Sequence, residues 1–248
     1  MNIADGINME DNSIRSFLMI GQSNMAGRGD FGEVEEIKNP NCFMLRMGRF
    51  QRMSEPINPD RAVFGTPYHS GVGLAASFAD ELEKHTKKRI GLIPCADGGT
   101  VIAQWMPGQI LYDHALLQCR LAMRSSVLSG ILWHQGESDC MREDGVCSYS
   151  DKLVYMMSKL REDLGTPELP IVMGEISESI SEVWNVADRP KAMNRSIEEA
   201  ANRLPLCAVA KAADLQLKTD GIHFDSRSCR ILGKRYFDEY IKLTQKDK

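Results

Sequence analysis

Four short stretches of this 248-residue chain hold the residue types that acyl transfer requires: Gly21-Gln22-Ser23-Asn24-Met25-Ala26-Gly27, Ala96-Asp97-Gly98-Gly99-Thr100, Gln135-Gly136-Glu137-Ser138-Asp139 and Asp220-Gly221-Ile222-His223-Phe224. Ser23 supplies a hydroxyl, which attacks an ester at neutral pH only with a base in reach and donors for the oxyanion that forms. His223 is the candidate base. Asp220 precedes it by three residues, so its carboxylate can bond one ring nitrogen and leave the other facing a serine. Gly98-Gly99 lets backbone approach a ligand closely, and the Ser23 amide, the Gly99 amide and the Gln135 side chain would together form an oxyanion hole. Each group also has a plainer use, since serine caps turns and Asp-Gly or Gly-Gly makes them.

Glu137 has two readings: the acid partner of His223, or a support that ties neighbouring loops together. The short spacing favours Asp220 as the acid. Gln22 and Asn24 flank the nucleophile, and Trp105 follows the glycine loop, so all three are candidates for a substrate pocket, with apolar packing the ordinary alternative for the tryptophan. His134, Glu137, Asp139 and His223 can be assembled on paper into a metal site, but their spacing matches no zinc pattern, and neither metal nor cofactor is expected. Gly27-Arg28-Gly29-Asp30-Phe31-Gly32 fits the dinucleotide fingerprint by letter only. Its first glycine lies well past the strand end, and Asn39-Pro40 interrupts the helix it would need.

These loops can converge only if the elements before them are strands of one sheet. Apolar, β-rich runs occur at Ser16 to Gly21, Arg89 to Cys95, Gly130 to His134, Pro170 to Glu175 and Leu206 to Ala210. Helical periodicity occupies Gly73 to Lys87, Tyr112 to Val127, Tyr149 to Leu164, Ala187 to Arg203 and Ser226 to Leu243. Leu153, Met157, Leu160 and Leu164 form one apolar stripe, and Leu116, Cys119, Met123 and Val127 another. The alternation predicts an α/β fold: three layers, α/β/α, around a five-stranded, mostly parallel, doubly wound sheet of flavodoxin-like kind. In such sheets, functional groups gather at the carboxyl ends of strands, where the four stretches lie. Residues 30–70 read as a long insertion with a small hairpin around Gly48, either roofing the site or decorating the surface. No linker or repeat divides residues 1–248, which implies a single domain.

Composition narrows the partners. The 30 Lys and Arg against 34 Asp and Glu leave a net charge of −4, without the basic excess that phosphate backbones attract, so nucleic acid is not expected. Seven cysteines with no CxxC pair suggest reduced thiols, and Cys95, Cys119 and Cys207 sit on apolar elements where inert cysteine is usual. Met1 to Asp11 carries acids and no apolar run, and no later stretch is long enough for a membrane span, so a cytoplasmic protein is expected.

Together, the Gly21 to Gly27 string, the Gly98-Gly99-Thr100 loop with Trp105, Trp133-His134-Gln135-Gly136-Glu137-Ser138-Asp139 and Asp220 to Phe224 resemble the SGNH hydrolase superfamily. More narrowly, they are similar to its sialate O-acetylesterase and acetylxylan esterase branch, carbohydrate esterase family six. The resemblance runs from Phe17 to Phe237 in strand order. It implies hydrolysis of acetyl esters on sugars without a metal, with Ser23 as nucleophile, His223 as base, Asp220 as its partner, and Gly99 and Gln135 as oxyanion donors. The glutamate of the same branch, Glu137 here, is the alternative acid. The expected substrate is a small acetylated sugar, of xylo-oligosaccharide or sialic acid type. The competing expectations are a carbohydrate-binding module that keeps the fold without catalysis, and a metal-dependent hydrolase. Oligomeric state has no signature in the sequence.

Overall fold

The first strand shows how the layers arise. Successive side chains of a strand point to opposite faces, and in β1 (Ile14–Gly21) Phe17 and Met19 enter one apolar cluster while Leu18 and Ile20 enter another. Both faces are therefore covered, which is why the run is apolar throughout rather than alternating. The computed structural model describes residues 13–59 and 69–245. Met1 to Asp11 and residues 60–68 of the 30–70 insertion lie outside the described residues.

After β1 come α1 (Ser23–Ala26), β2 (Cys42–Arg46), β3 (Arg49–Arg52), α2 (Leu74–Thr86), β4 (Ile90–Pro94), α3 (Ile110–Ala122) and β5 (Ser126–His134). The chain continues through α4 (Glu137–Cys140), α5 (Glu143–Cys147), α6 (Tyr149–Leu164), β6 (Ile171–Gly174), α7 (Ile180–Trp184), α8 (Arg189–Arg203), β7 (Cys207–Ala210) and α9 (Ser226–Gln245). Helices α3, α6 and α8 cover the face of Leu18 and Ile20, whereas α2 and α9 cover that of Phe17 and Met19. Phe17, Phe78 and Tyr240 meet edge to face there, with centroids 5.0 to 6.1 Å apart. Such pairs add about 0.5–1.5 kcal/mol each beyond the area they bury.

The sheet has the order β3-β2-β4-β1-β5-β6-β7 and is parallel apart from β3. All five expected strands are present, in flavodoxin-like order. The count of five is corrected to seven because the hairpin in the insertion joins the sheet. Cys42, Phe43 and Met44 pair in parallel with Ile90, Gly91 and Leu92, so β2 covers the edge that β4 would otherwise expose. The turn between β2 and β3 is two residues long, and Met47 and Gly48 both take positive φ, 47° and 80°, as a tight hairpin of this twist requires.

The stripe on α6 is buried as expected, but that on α3 is only partly so. The helix ends at Ala122, leaving Met123 exposed, and Val127, also exposed, belongs to β5 opposite Arg15. Among the described residues, no helix is long and apolar enough to cross a membrane.

Candidate active site

Strand β1 lies between β4 and β5, and the chain leaves it first toward one side of the sheet and then toward the other. That reversal opens a crevice beyond the carboxyl ends of the central strands. Gly21, at the end of β1, has φ 128°, and a Cβ there would stand 2.0 Å from the His134 carbonyl oxygen. Glycine thus lets the ends of β1 and β5 close together, and the Gln22 amide donates to that same oxygen at 2.9 Å. Ser23 follows as the first residue of the α1 turn, so its amide has no acceptor within the helix.

His223 Nε2 stands 2.9 Å from Ser23 Oγ, and its Nδ1 stands 2.9 Å from Asp220 Oδ2. The other carboxylate oxygen of Asp220 accepts the amides of Ile222 and His223, each at 2.9 Å. A single side chain therefore shapes the loop and orients the ring. The loop is closed by Lys218 N to His223 O at 2.7 Å and by the Leu217–Phe224 bridge. Burial pushes the Asp220 carboxyl up, but the His223 and Ile222 amides and the His223 ring outweigh it and hold the group below its ordinary range. It is therefore a carboxylate at neutral pH, suited to an imidazole that gains charge.

Beside this line is a cavity of about 290 Å³, lined by Gln22, Ser23, Gly99, His223, Arg28 and Trp184 among others. Gly99, with φ 72°, lines this space. Gln135 does not face it. Its Nε2 lies 3.0 Å from Gln22 Oε1, 2.9 Å from Thr100 O and 2.6 Å from Asp139 Oδ2, with no exposed surface, so its two hydrogens are already used. Its Oε1 accepts from the Tyr149 hydroxyl at 2.9 Å. The expected oxyanion role is corrected to an internal one, knitting the loops after β1, β4 and β5. Gln22, in contrast, lines the cavity: its Oε1 is held by Gln135 and, at 3.4 Å, by Ser138 N, while its Nε2 has no partner among the described residues.

Two pocket candidates are likewise turned inward. Asn24 is 1% exposed and spends its amide on Glu137 Oε1, Ile222 O and Phe224 N, at 2.6, 3.3 and 3.1 Å. Trp105 is buried against Trp133, with its indole donating to Thr100 Oγ1 at 3.0 Å. Glu137 touches Asn24 and His134, not His223, so Asp220 holds the position of the acid partner. Burial pushes the Glu137 carboxyl up, but His134 and Asn24 outweigh it and hold it below the usual range. Asp139 differs: burial dominates its bonds from Gln135 and Ile102, and its carboxyl is pushed up to about 6. The four residues of the conceivable metal set do not converge, since Asp139 faces Gln135 and the Ile102 amide while His223 faces Ser23.

Arg28 and Trp184 border the cavity, although sequence reasoning does not single them out as site residues. Arg28 carries a signal, lying just after the Gly21 to Gly27 string. Trp184 sits in a short helix between β6 and β7, and nothing local in its sequence ties it to Ser23. None of the seven cysteines is in a disulfide. Burial pushes the Cys119 thiol far up and that of Cys207 to about 12, as expected for packing residues.

Comparison with known proteins gives one family. A model described as carbohydrate esterase, sialic acid-specific acetylesterase, matches residues 13–242. A probable carbohydrate esterase of Arabidopsis thaliana is 29% identical over 243 residues, covering 91% of this chain and 89% of that protein. Among solved structures, an Arabidopsis thaliana protein superposes with a TM-score of 0.83 at 26% identity, over 93% of this chain and 98% of that one. NanS superposes with a TM-score of 0.76 at 16% identity, over 94% and 98%, a likeness of fold.

Proposed function

This chain belongs to the carbohydrate esterase family of sialic acid-specific acetylesterases, and on that premise we propose that it is a serine esterase that removes O-acetyl groups from small sugars. The substrate is of xylo-oligosaccharide or sialic acid type. Ser23 Oγ attacks the acetyl carbonyl while His223 Nε2 takes its proton, and the Ser23 and Gly99 amides with the Gln22 side chain hold the oxyanion. His223 then protonates the leaving sugar alcohol. Water, activated by the same imidazole, frees acetate from the acyl-enzyme. The route needs no metal ion.

The observation that carries this reading is the continuous line from Asp220 Oδ2 through His223 to Ser23 Oγ, with both contacts at 2.9 Å, opening on a cavity. A fold kept only for binding sugar would have no use for that line. Only neutral imidazole can accept the serine proton, so the rate rises from acid toward neutral pH. Ser23→Ala is expected to lower turnover of an aryl acetate by about 10⁴-fold or more while the protein stays folded. A serine-directed fluorophosphonate should label Ser23, located by mass spectrometry. Turnover by Ser23→Ala at the wild-type rate, or sugar binding without labelling, would leave the binding module as the better reading.

A further inference from the structure

One carboxylate at the site has no step in this chemistry. Glu137 has no exposed surface, and an ionised carboxylate shut away from water is strongly unfavourable unless other groups hold it. Two do. Asn24 Nδ2 donates to Oε1 at 2.6 Å, and His134 Nε2 faces the same oxygen at 3.5 Å, while Oε2 has no hydrogen-bond partner among the described residues. Tyr236 settles which nitrogen of His134 is the donor on the far side. Its hydroxyl has one hydrogen and gives it to Trp133 O at 2.7 Å, so in the 3.1 Å contact His134 Nδ1 donates to the phenol oxygen. Nε2 has no hydrogen-bond partner among the described residues, and Asn24 is the side chain that hydrogen-bonds the carboxylate.

Asn24 carries this order outward. Its Oδ1 accepts the Phe224 amide at 3.1 Å and its Nδ2 reaches Ile222 O at 3.3 Å, so one side-chain amide clasps the backbone on both sides of His223. All three contacts demand the same amide orientation. Flipped, it would set oxygen against the Ile222 carbonyl and the Glu137 carboxylate, and nitrogen against the Phe224 N–H. We propose that Glu137 is a positioning residue: by holding Asn24 in one orientation, it fixes the peptide groups flanking His223 and hence the approach of Nε2 to Ser23 Oγ. It stays outside the proton line. This rests on the reading of Ser23 and His223 as nucleophile and base, which Ser23→Ala and labelling test separately.

The test compares Glu137→Ala, Glu137→Gln and Asn24→Ala by kcat, KM, pH profile and the downfield proton resonance of the His223–Asp220 hydrogen bond. Glu137→Ala and Asn24→Ala should each lower kcat by about 10- to 100-fold with KM within about twofold, the effect of a misplaced base rather than a missing one. The downfield resonance should shift or broaden in both, with the near-ultraviolet circular dichroism of a folded protein. Glu137→Gln keeps an oxygen for Asn24 and should recover kcat to within about threefold of wild type, with an unchanged acid limb. A Gln variant as impaired as the Ala variant, or one with a displaced acid limb, would overturn the proposal by showing that the charge itself is required. Wild-type kcat in Asn24→Ala would overturn it as well. That second variant leaves the Glu137–His134 pair whole, so it decides the matter even if Glu137→Ala does not fold.

Discussion

The loop after β5 and the loop after β7 both bring polar residues to the carboxyl edge of the sheet, yet they use them in opposite ways. In the first, Gln135 and Glu137 have no exposed surface and Asp139 has 4%. In the second, the side chains of His223 and Asp220 are 21% and 41% exposed. The buried loop spends its polar atoms on neighbouring loops, whereas the exposed loop spends them on its own turn and on Ser23. A polar residue at a strand end is thus either scaffold or reagent, and what separates the two is whether its hydrogen bonds run between buried loops or lead to Ser23 at the cavity.

That contrast can be broken by substitution. The largest expected effect is on the exposed loop: Asp220→Asn should lower kcat by about 10²- to 10⁴-fold, because the amide favours the wrong imidazole tautomer. Its denaturation midpoint should barely move, since Asn can still accept the two loop amides. The reverse should hold for Gln135→Leu. Removing that amide leaves Thr100 O without its donor and takes one donor each from Gln22 Oε1 and Asp139 Oδ2, and urea unfolding should show a loss of about 1–3 kcal/mol, with a smaller effect on kcat. A drop in kcat without loss of stability would restore Gln135 as an oxyanion donor.

The smallest effect concerns Asp139, whose carboxyl is raised from an ordinary 3.8 to about 6. A carboxyl that holds its proton more tightly when folded contributes stability that is fully present below the unfolded value and lost as pH rises through the folded one. Wild type should therefore lose about 2–3 kcal/mol relative to Asp139→Asn between about pH 4 and pH 6, the free-energy equivalent of that rise. Parallel stability curves for the two proteins across that range would show that the Asp139 carboxyl is not shut away from water.

The distinction between the loops also explains what is legible in the sequence. Asp220 and His223 can be read because their partnership is local, three residues apart in one turn. Strands β1, β4, β5 and β6 can be read because burial on both faces leaves a nearly unbroken apolar run. For Gln135, Asn24 and Trp105 the sequence places the residue at the site but misleads about its aim, since position after a strand does not fix the direction of a side chain. What turns them inward are contacts far apart in the chain: Gln135 with Gln22 and Thr100, and Asn24 with Glu137 and Phe224. The hairpin around Gly48 is visible, but its place in the sheet depends on pairing with β4, which no local pattern encodes.

That hairpin has a bearing on solubility. Without it the outermost strand on this side would be β4, Ile-Gly-Leu-Ile-Pro, whose free peptide groups would be a template for the same strand of another molecule. Instead the border is β3, only four residues long, with exposed Arg49, Gln51 and Arg52. Charge and shortness discourage a further strand from docking. The insertion thus acts as a guard against self-association, and shortening it would be felt first in aggregation rather than in catalysis.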